Sequence, residues 1–249
     1  MKYILANWKM YLREFEQAAL CRRANLIKYD AKKLRLVLCP SHFALPYAKN
    51  FVKKPNEYGA QNFFWESRGA FTGEASPQDL TDFKCHYVII GHSERRTLLN
   101  ETDGMVRKKV AAALSAKLTP ILCVGETLDE RNSGHALERV REELREDLKG
   151  LTAEEIKRII VAYEPVWAIG AGQPIAPTEA VEMHRRIRET IGEIVHGAVP
   201  QAVIYGGSVD AKNVRDFIIA EGVDGCLVGG ASTKFDSLKQ IVDIVQKYS

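Results

Sequence analysis

With 249 residues, 46% hydrophobic and 27% charged, the chain has the composition of an ordinary globular protein with ample material for a core. Its net charge of +3 comes from 35 basic residues interleaved with acidic ones, which excludes a nucleic-acid or membrane footprint but suits a small anionic substrate. No apolar run approaches the roughly 18 residues of a membrane span, and the segment Met1–Lys9 turns polar too early for a signal peptide.

In chain order, short apolar runs alternate with longer amphipathic ones. Tyr3–Trp8 is predicted as a strand and Glu14–Ile27 as a helix; strands follow at Arg35–Cys39, Tyr58–Asn62 and Tyr87–Gly91. A helix over Glu101–Ala116 leads to a strand at Thr119–Val124. The helix Leu137–Leu148 is the most charged and reads as a solvated face. The strand Ile159–Glu164 precedes a helix over Thr178–Val195, whose Pro177-Thr178-Glu179 opening is a good start signal. Ala202–Tyr205 (strand), Asp210–Ala220 (helix), Gly225–Val228 (strand) and Phe235–Lys247 (helix) complete the series. Parallel strands need crossover helices, so eight such units imply a parallel α/β sheet. A doubly wound open sheet competes. Eight units filling residues 1–249 without a linker favour one single-domain (β/α)8 TIM barrel with a closed parallel sheet.

In such a barrel the chemistry sits on the loops that leave the carboxyl ends of the strands. The unusual residues of this chain fall there: Asn7 and Lys9, Gln61 and Asn62, His92 to Glu94, Glu164, Gly206-Gly207-Ser208, and Gly229-Gly230. Each alone has a bland alternative: a surface lysine, a satisfied histidine, a tight glycine turn. Glu164 is harder to dismiss, because an isolated carboxylate ending the run Ile159-Ile160-Val161-Ala162-Tyr163 is costly without a role or a partner. Pro165 holds Glu164 extended, and an apolar Val166-Trp167-Ala168-Ile169 segment follows. That arrangement suits a general base working away from water.

The two Gly-Gly pairs suit an anion held by backbone N–H groups, and the loops after the seventh and eighth strands are where this fold commonly binds phosphate. No Walker or GxGxxG pattern and no His/Cys/Asp cluster of metal spacing is present, so a metal-free, cofactor-free site is expected. Cys21, Cys39, Cys85, Cys123 and Cys226 show no CxxC spacing, and four lie in or beside apolar runs. They read as small core residues of a protein from a reducing, cytoplasmic compartment.

Seven motifs in order give the chain a resemblance over essentially its whole length to the triosephosphate isomerase family. They are Asn7-Trp8-Lys9, Gly59-Ala60-Gln61-Asn62, Gly69-Ala70-Phe71-Thr72-Gly73-Glu74, Gly91-His92-Ser93-Glu94-Arg95-Arg96, Cys123-Val124-Gly125-Glu126-Thr127, the segment Ala162 to Gly170, and Tyr205-Gly206-Gly207-Ser208-Val209. The resemblance implies interconversion of dihydroxyacetone phosphate and D-glyceraldehyde 3-phosphate through an enediolate, in glycolysis and gluconeogenesis. It implies Glu164 as the base, His92 as a neutral electrophile and Lys9 as the cation, with Glu94 pairing with that lysine; the acid–base pair is a standard example of tuned side chains. Asn7 would contact the substrate oxygen, and N–H groups at Gly170, Ser208, Gly229 and Gly230 would clamp the phosphate. Thr72, on a loop with an apolar tip, would reach a neighbouring subunit's site in a homodimer. Residues Val166 to Ala176 would form a lid, whose Gln173-Pro174-Ile175 departs from the usual Lys-Thr-Ala-like hinge. Proline fixes a backbone angle, so opening and closing are expected to differ while the chemical groups do not. Two alternatives stay open: an isomerase of another small sugar phosphate, and a catalytically silent phosphate-binding barrel.

Overall fold

The computed structural model describes residues 1–169 and 174–249. Eight strands form one closed parallel barrel in sequence order: β1 (Lys2–Asn7), β2 (Leu34–Cys39), β3 (Glu57–Ala60), β4 (Tyr87–Ile90), β5 (Thr119–Val124), β6 (Ile160–Tyr163), β7 (Ala202–Tyr205) and β8 (Gly225–Val228). The β8 strand closes onto β1, with Tyr3 opposite Gly225 and Ala6 opposite Val228. The expected strands are therefore present. Their ends differ at the rim, where Trp8, Asn62, Gly91 and Glu164 lie just beyond the strands.

The strands read as near-continuous apolar runs because both of their faces are covered. Alternate residues point inward, so Leu5, Val37, Ile89, Ile121, Ile160, Ala162 and Ile204 fill the barrel interior. Their neighbours Ile4, Leu36, Val88, Leu122 and Val161 face outward into the layer beneath the helices.

The helices are α1 (Glu14–Ala24), α2 (Leu45–Phe51), α3 (Pro77–Asp82), α4 (Ser93–Leu98), α5 (Asp103–Ser115), α6 (Leu128–Asn132), α7 (Ala136–Asp147), α8 (Ala153–Ile156), α9 (Pro177–Ile194), α10 (Val214–Ile218) and α11 (Phe235–Tyr248). Asp210–Ala220 shortens to α10, because Asp210 accepts from the Lys212 and Asn213 N–H groups in a turn that delays the helix. The α7 helix is not a solvated face throughout. Val140, Glu143, Leu144 and Asp147 are buried on its inner side. Short α3, α6 and α8 each begin at a capping box, Ser76 with Asp79, Thr127 with Glu130 and Thr152 with Glu155. All five cysteines are free and buried, in line with the core reading. Among the described residues no helix is long and apolar enough to cross a membrane.

Candidate active site at the carboxyl rim

A cavity of about 280 Å³ opens at the carboxyl ends of the strands, lined at one end by Asn7, Lys9, His92 and Glu164 and at the other by Ser208, Gly229 and Gly230. Seven of the site residues expected from sequence thus meet in one place. Glu94 lies one step behind, and Thr72 is exposed on a separate loop that does not line this cavity. Gly170 and Gln173 lie outside the described residues. Pro174 is exposed, while Ile175 is buried with its N–H donating to the Tyr205 hydroxyl at 3.4 Å.

Glu164 follows β6 and is only 1% exposed. Its Oε2 accepts from the Ser93 N–H at 2.9 Å. Its Oε1 lies 3.1 Å from His92 Nε2, yet among the described residues it has no aligned hydrogen-bond partner. The carboxylate is therefore anchored by one oxygen and free at the other. Two glycines make room for Glu164, one at its backbone and one at its side chain. A Cβ at Gly125 would fall 1.8 Å from the Glu164 carbonyl oxygen, and one at Gly206 would fall 2.8 Å from Glu164 Cγ. Gly206 thus serves the carboxylate by close packing, a role that the phosphate reading of the Gly-Gly pair did not contain.

His92 caps α4, and its Nδ1 accepts from the Glu94 N–H at 3.2 Å. That bond assigns the ring proton to Nε2, the nitrogen that faces the cavity. The imidazole is thereby set up as a neutral donor. The corner that carries it is braced by Arg96, whose Nε donates to the Gly91 carbonyl at 2.7 Å and whose Nη2 donates to Asp147 at 2.7 Å. Arg96 also bonds Asp103. Burial pushes the Asp147 carboxyl well up from its ordinary range, against the pull of Arg96.

Lys9 adopts a φ of 49°, in the left-handed region that a non-glycine residue rarely occupies. Its conformation is held from both sides. The Lys9 N–H donates to Asn7 Oδ1 at 3.1 Å, and Gln61 Nε2 donates to the Lys9 and Cys39 carbonyls at 3.0 and 2.9 Å. The side chain runs over Gly229, where an added Cβ would sit 3.4 Å from Lys9 Cε, and ends 2.6 Å from Glu94 Oε1. Backbone strain held in this way is common where a side chain must be aimed.

Sequence reading missed several supports. Glu126 is fully buried and accepts from the Tyr163 hydroxyl at 3.1 Å and Trp167 Nε1 at 3.0 Å, while its carbonyl accepts from the Val166 N–H at 3.0 Å. It ties the segment after Glu164 to the end of β5. Burial, and then the charge of Glu164, push the Cys123 thiol well up, so it stays protonated beneath the base. Arg96 and its carboxylates belong to the same set. The signal for them was the α7 stripe Val140, Glu143, Leu144, Asp147, which places two acids on an apolar face. Among the described residues no cluster of three or more His, Cys, Asp or Glu side chains could hold a metal ion.

The sequence model of the family described as Triosephosphate isomerase matches residues 2–245. The Triosephosphate isomerase of Dictyoglomus turgidum is 43% identical over 97% of this chain and 98% of its own. That of Roseiflexus sp. is 44% identical over 96% of this chain and 95% of its own, and that of Moorella thermoacetica is 44% identical over 98% of each.

Proposed function

The chain belongs to the triosephosphate isomerase family, and we propose that Glu164, His92 and Lys9 are the residues with which it interconverts dihydroxyacetone phosphate and D-glyceraldehyde 3-phosphate, an aldose–ketose isomerisation of glycolysis. The observation that carries the assignment is the convergence of these three side chains on one cavity whose far end is built from Ser208, Gly229 and Gly230.

The Glu164 carboxylate takes a proton from the hydroxyl-bearing carbon next to the carbonyl. The C–H electron pair becomes the carbon–carbon double bond, and the carbonyl oxygen takes up the negative charge of the enediolate. His92 donates its Nε2 hydrogen to that oxygen, and the Lys9 ammonium lies near enough to offset the charge. The same carboxyl then returns its proton to the neighbouring carbon, while a proton passes from one oxygen to the other. Atoms balance, and no redox partner is needed. Anchoring Glu164 by Oε2 alone leaves Oε1 as the proton acceptor. A positioned base supplies about 10²–10⁴-fold. Asn7 adds a polar contact at the reacting end, and backbone N–H groups of Gly170, Ser208, Gly229 and Gly230 hold the phosphate.

The test is a coupled assay on glyceraldehyde 3-phosphate with wild type and Glu164→Asp. That substitution keeps the charge but withdraws the carboxylate by one methylene, and kcat is expected to fall by at least about 100-fold. No turnover by a folded wild type would favour a silent barrel, and turnover only of a longer sugar phosphate would favour another isomerase.

The whole chain, 1–249, acts as one catalytic domain, since the barrel is complete only when β8 meets β1. It works as a homodimer. A groove of about 670 Å³ beside Lys9 and Glu94 is lined by Met10, Phe43, Leu98 and Leu99, of which Met10 is 96% and Phe43 84% exposed. Such a patch suits a partner loop. The Gly69–Glu74 loop offers one: Phe71 packs on Phe64 at 4.4 Å between ring centroids, presenting Thr72. Sedimentation giving a mass near 27.9 kDa would refute the dimer. The buried, unpaired cysteines suit a cytoplasmic setting, which cell fractionation checks.

A further inference from the structure

The loop after β1 carries one side chain that the reaction above does not use. Lys9 turns at positive φ, and the Tyr11 N–H donates to the Trp8 carbonyl at 3.2 Å, so the chain doubles back immediately. The turn separates the two residues that follow Lys9. Met10 lines the apolar groove, whereas Tyr11 lines the cavity beside Ser208, Gly229 and Gly230. A Cβ at Gly230 would lie 3.9 Å from Tyr11 Cε2, the ring carbon next to the one that bears the hydroxyl. The ring therefore stands against the glycine corner while remaining 63% exposed on its outer side.

That corner is short of side-chain donors. Lys9 is the only cation among the described residues lining the cavity, and it is paired with Glu94 toward the reacting end. Asp210 also lines it but is an acceptor, its Oδ1 taking the Lys212 and Asn213 N–H groups. Ser208 and Tyr11 bring the neutral hydroxyl donors that stand beside the N–H groups of the glycines.

We infer that Tyr11 is a further substrate-contacting residue, its hydroxyl donating a hydrogen bond to the phosphate and its ring covering that end of the cavity from water. The inference rests on the triose phosphate reading of the site. A phenol adds no charge and lies at the end away from the reacting carbons. It therefore strengthens binding of substrate and transition state alike, and its loss falls on KM rather than kcat.

Tyr11→Phe keeps the ring and removes only the hydroxyl. Steady-state kinetics on both triose phosphates, the inhibition constant of inorganic phosphate, and turnover of phosphate-free glyceraldehyde would be compared with wild type. KM and the phosphate constant are expected to rise about tenfold, with kcat within about twofold. Turnover of glyceraldehyde is expected to be unchanged, and Tyr11→Ala to weaken phosphate further. An unchanged phosphate constant in Tyr11→Phe overturns the inference, and so does an equal loss with glyceraldehyde, which would mark a general disturbance of the loop. Calorimetric titration with inorganic phosphate reads Tyr11 without turnover. An inactive wild type thus counts against the reaction assignment, and equal phosphate affinities count against Tyr11 alone.

Discussion

Gly206→Ala is expected to cost activity without abolishing the fold. Gly206 is not among the residues at positive φ, so alanine meets no backbone penalty there. The new methyl group would instead start 2.8 Å from Glu164 Cγ and 3.2 Å from the Tyr163 carbonyl oxygen. Carbon atoms in contact settle at about 3.5–4.0 Å. The carbonyl is fixed, since it accepts from the Gly206 N–H at 2.7 Å, so the Glu164 side chain must give way, by about 1 Å. A misplacement of that size costs about 100-fold in rate, equivalent to about 2.7 kcal/mol of barrier. The overpacking itself costs about 1–3 kcal/mol of stability. The coupled assay run beside a thermal melt separates the two effects. A folded variant whose kcat stays within about threefold of wild type would show that Gly206 does not seat the base.

Three further outcomes are expected. Burial lowers the His184 imidazole from 6.5 to about 4, its Nδ1 facing the Gly222 carbonyl at 3.2 Å and its Nε2 without a partner among the described residues. The unfolded chain therefore binds the extra proton first, so stability falls as pH drops from about 6.5 and the loss is complete below about 4. Between pH 8 and about 5.5 the wild type should lose about 1.4 kcal/mol more than His184→Gln at equal protein concentration; parallel urea profiles would refute this. Arg96→Met strands the buried Asp147 and should cost about 3–5 kcal/mol in urea unfolding, against which a loss below about 1 kcal/mol would stand. Leu99→Asp places a charge in the exposed groove and should shift sedimentation toward the 27.9 kDa protomer, an outcome that an unaltered dimer would contradict.

The barrel was legible because its strands are buried on both faces, which leaves an apolar run whichever way each side chain points. Thr119–Val124, Ala202–Tyr205 and Gly225–Val228 coincide with their expected bounds for that reason. The overshoots at Trp8, Asn62, Gly91 and Glu164 have a common cause: at the rim the chain leaves the ladder but its residues stay buried or half-buried, so composition does not mark the end. Lys9, His92 and Glu164 were legible as polar interruptions at strand ends. What held them was not. The left-handed turn at Lys9 depends on Gln61, fifty-two residues away, and the anchor of Glu164 is a backbone N–H, which every residue but proline carries. Glu143 and Asp147 were hidden differently, as acids in a highly charged helix whose inner partner, Arg96, comes from another segment.

The unpartnered Oε1 of Glu164 has a bearing on how this protein would respond to breeding for robustness. A carboxylate buried to 1% exposure and anchored by a single aligned N–H is costly to the folded state. A lineage propagated only for heat resistance, with no demand for turnover, should therefore shed this carboxylate early. Robust descendants that had lost it would be healthy barrels in every respect but one, and a thermal screen by itself would rank them above their parent.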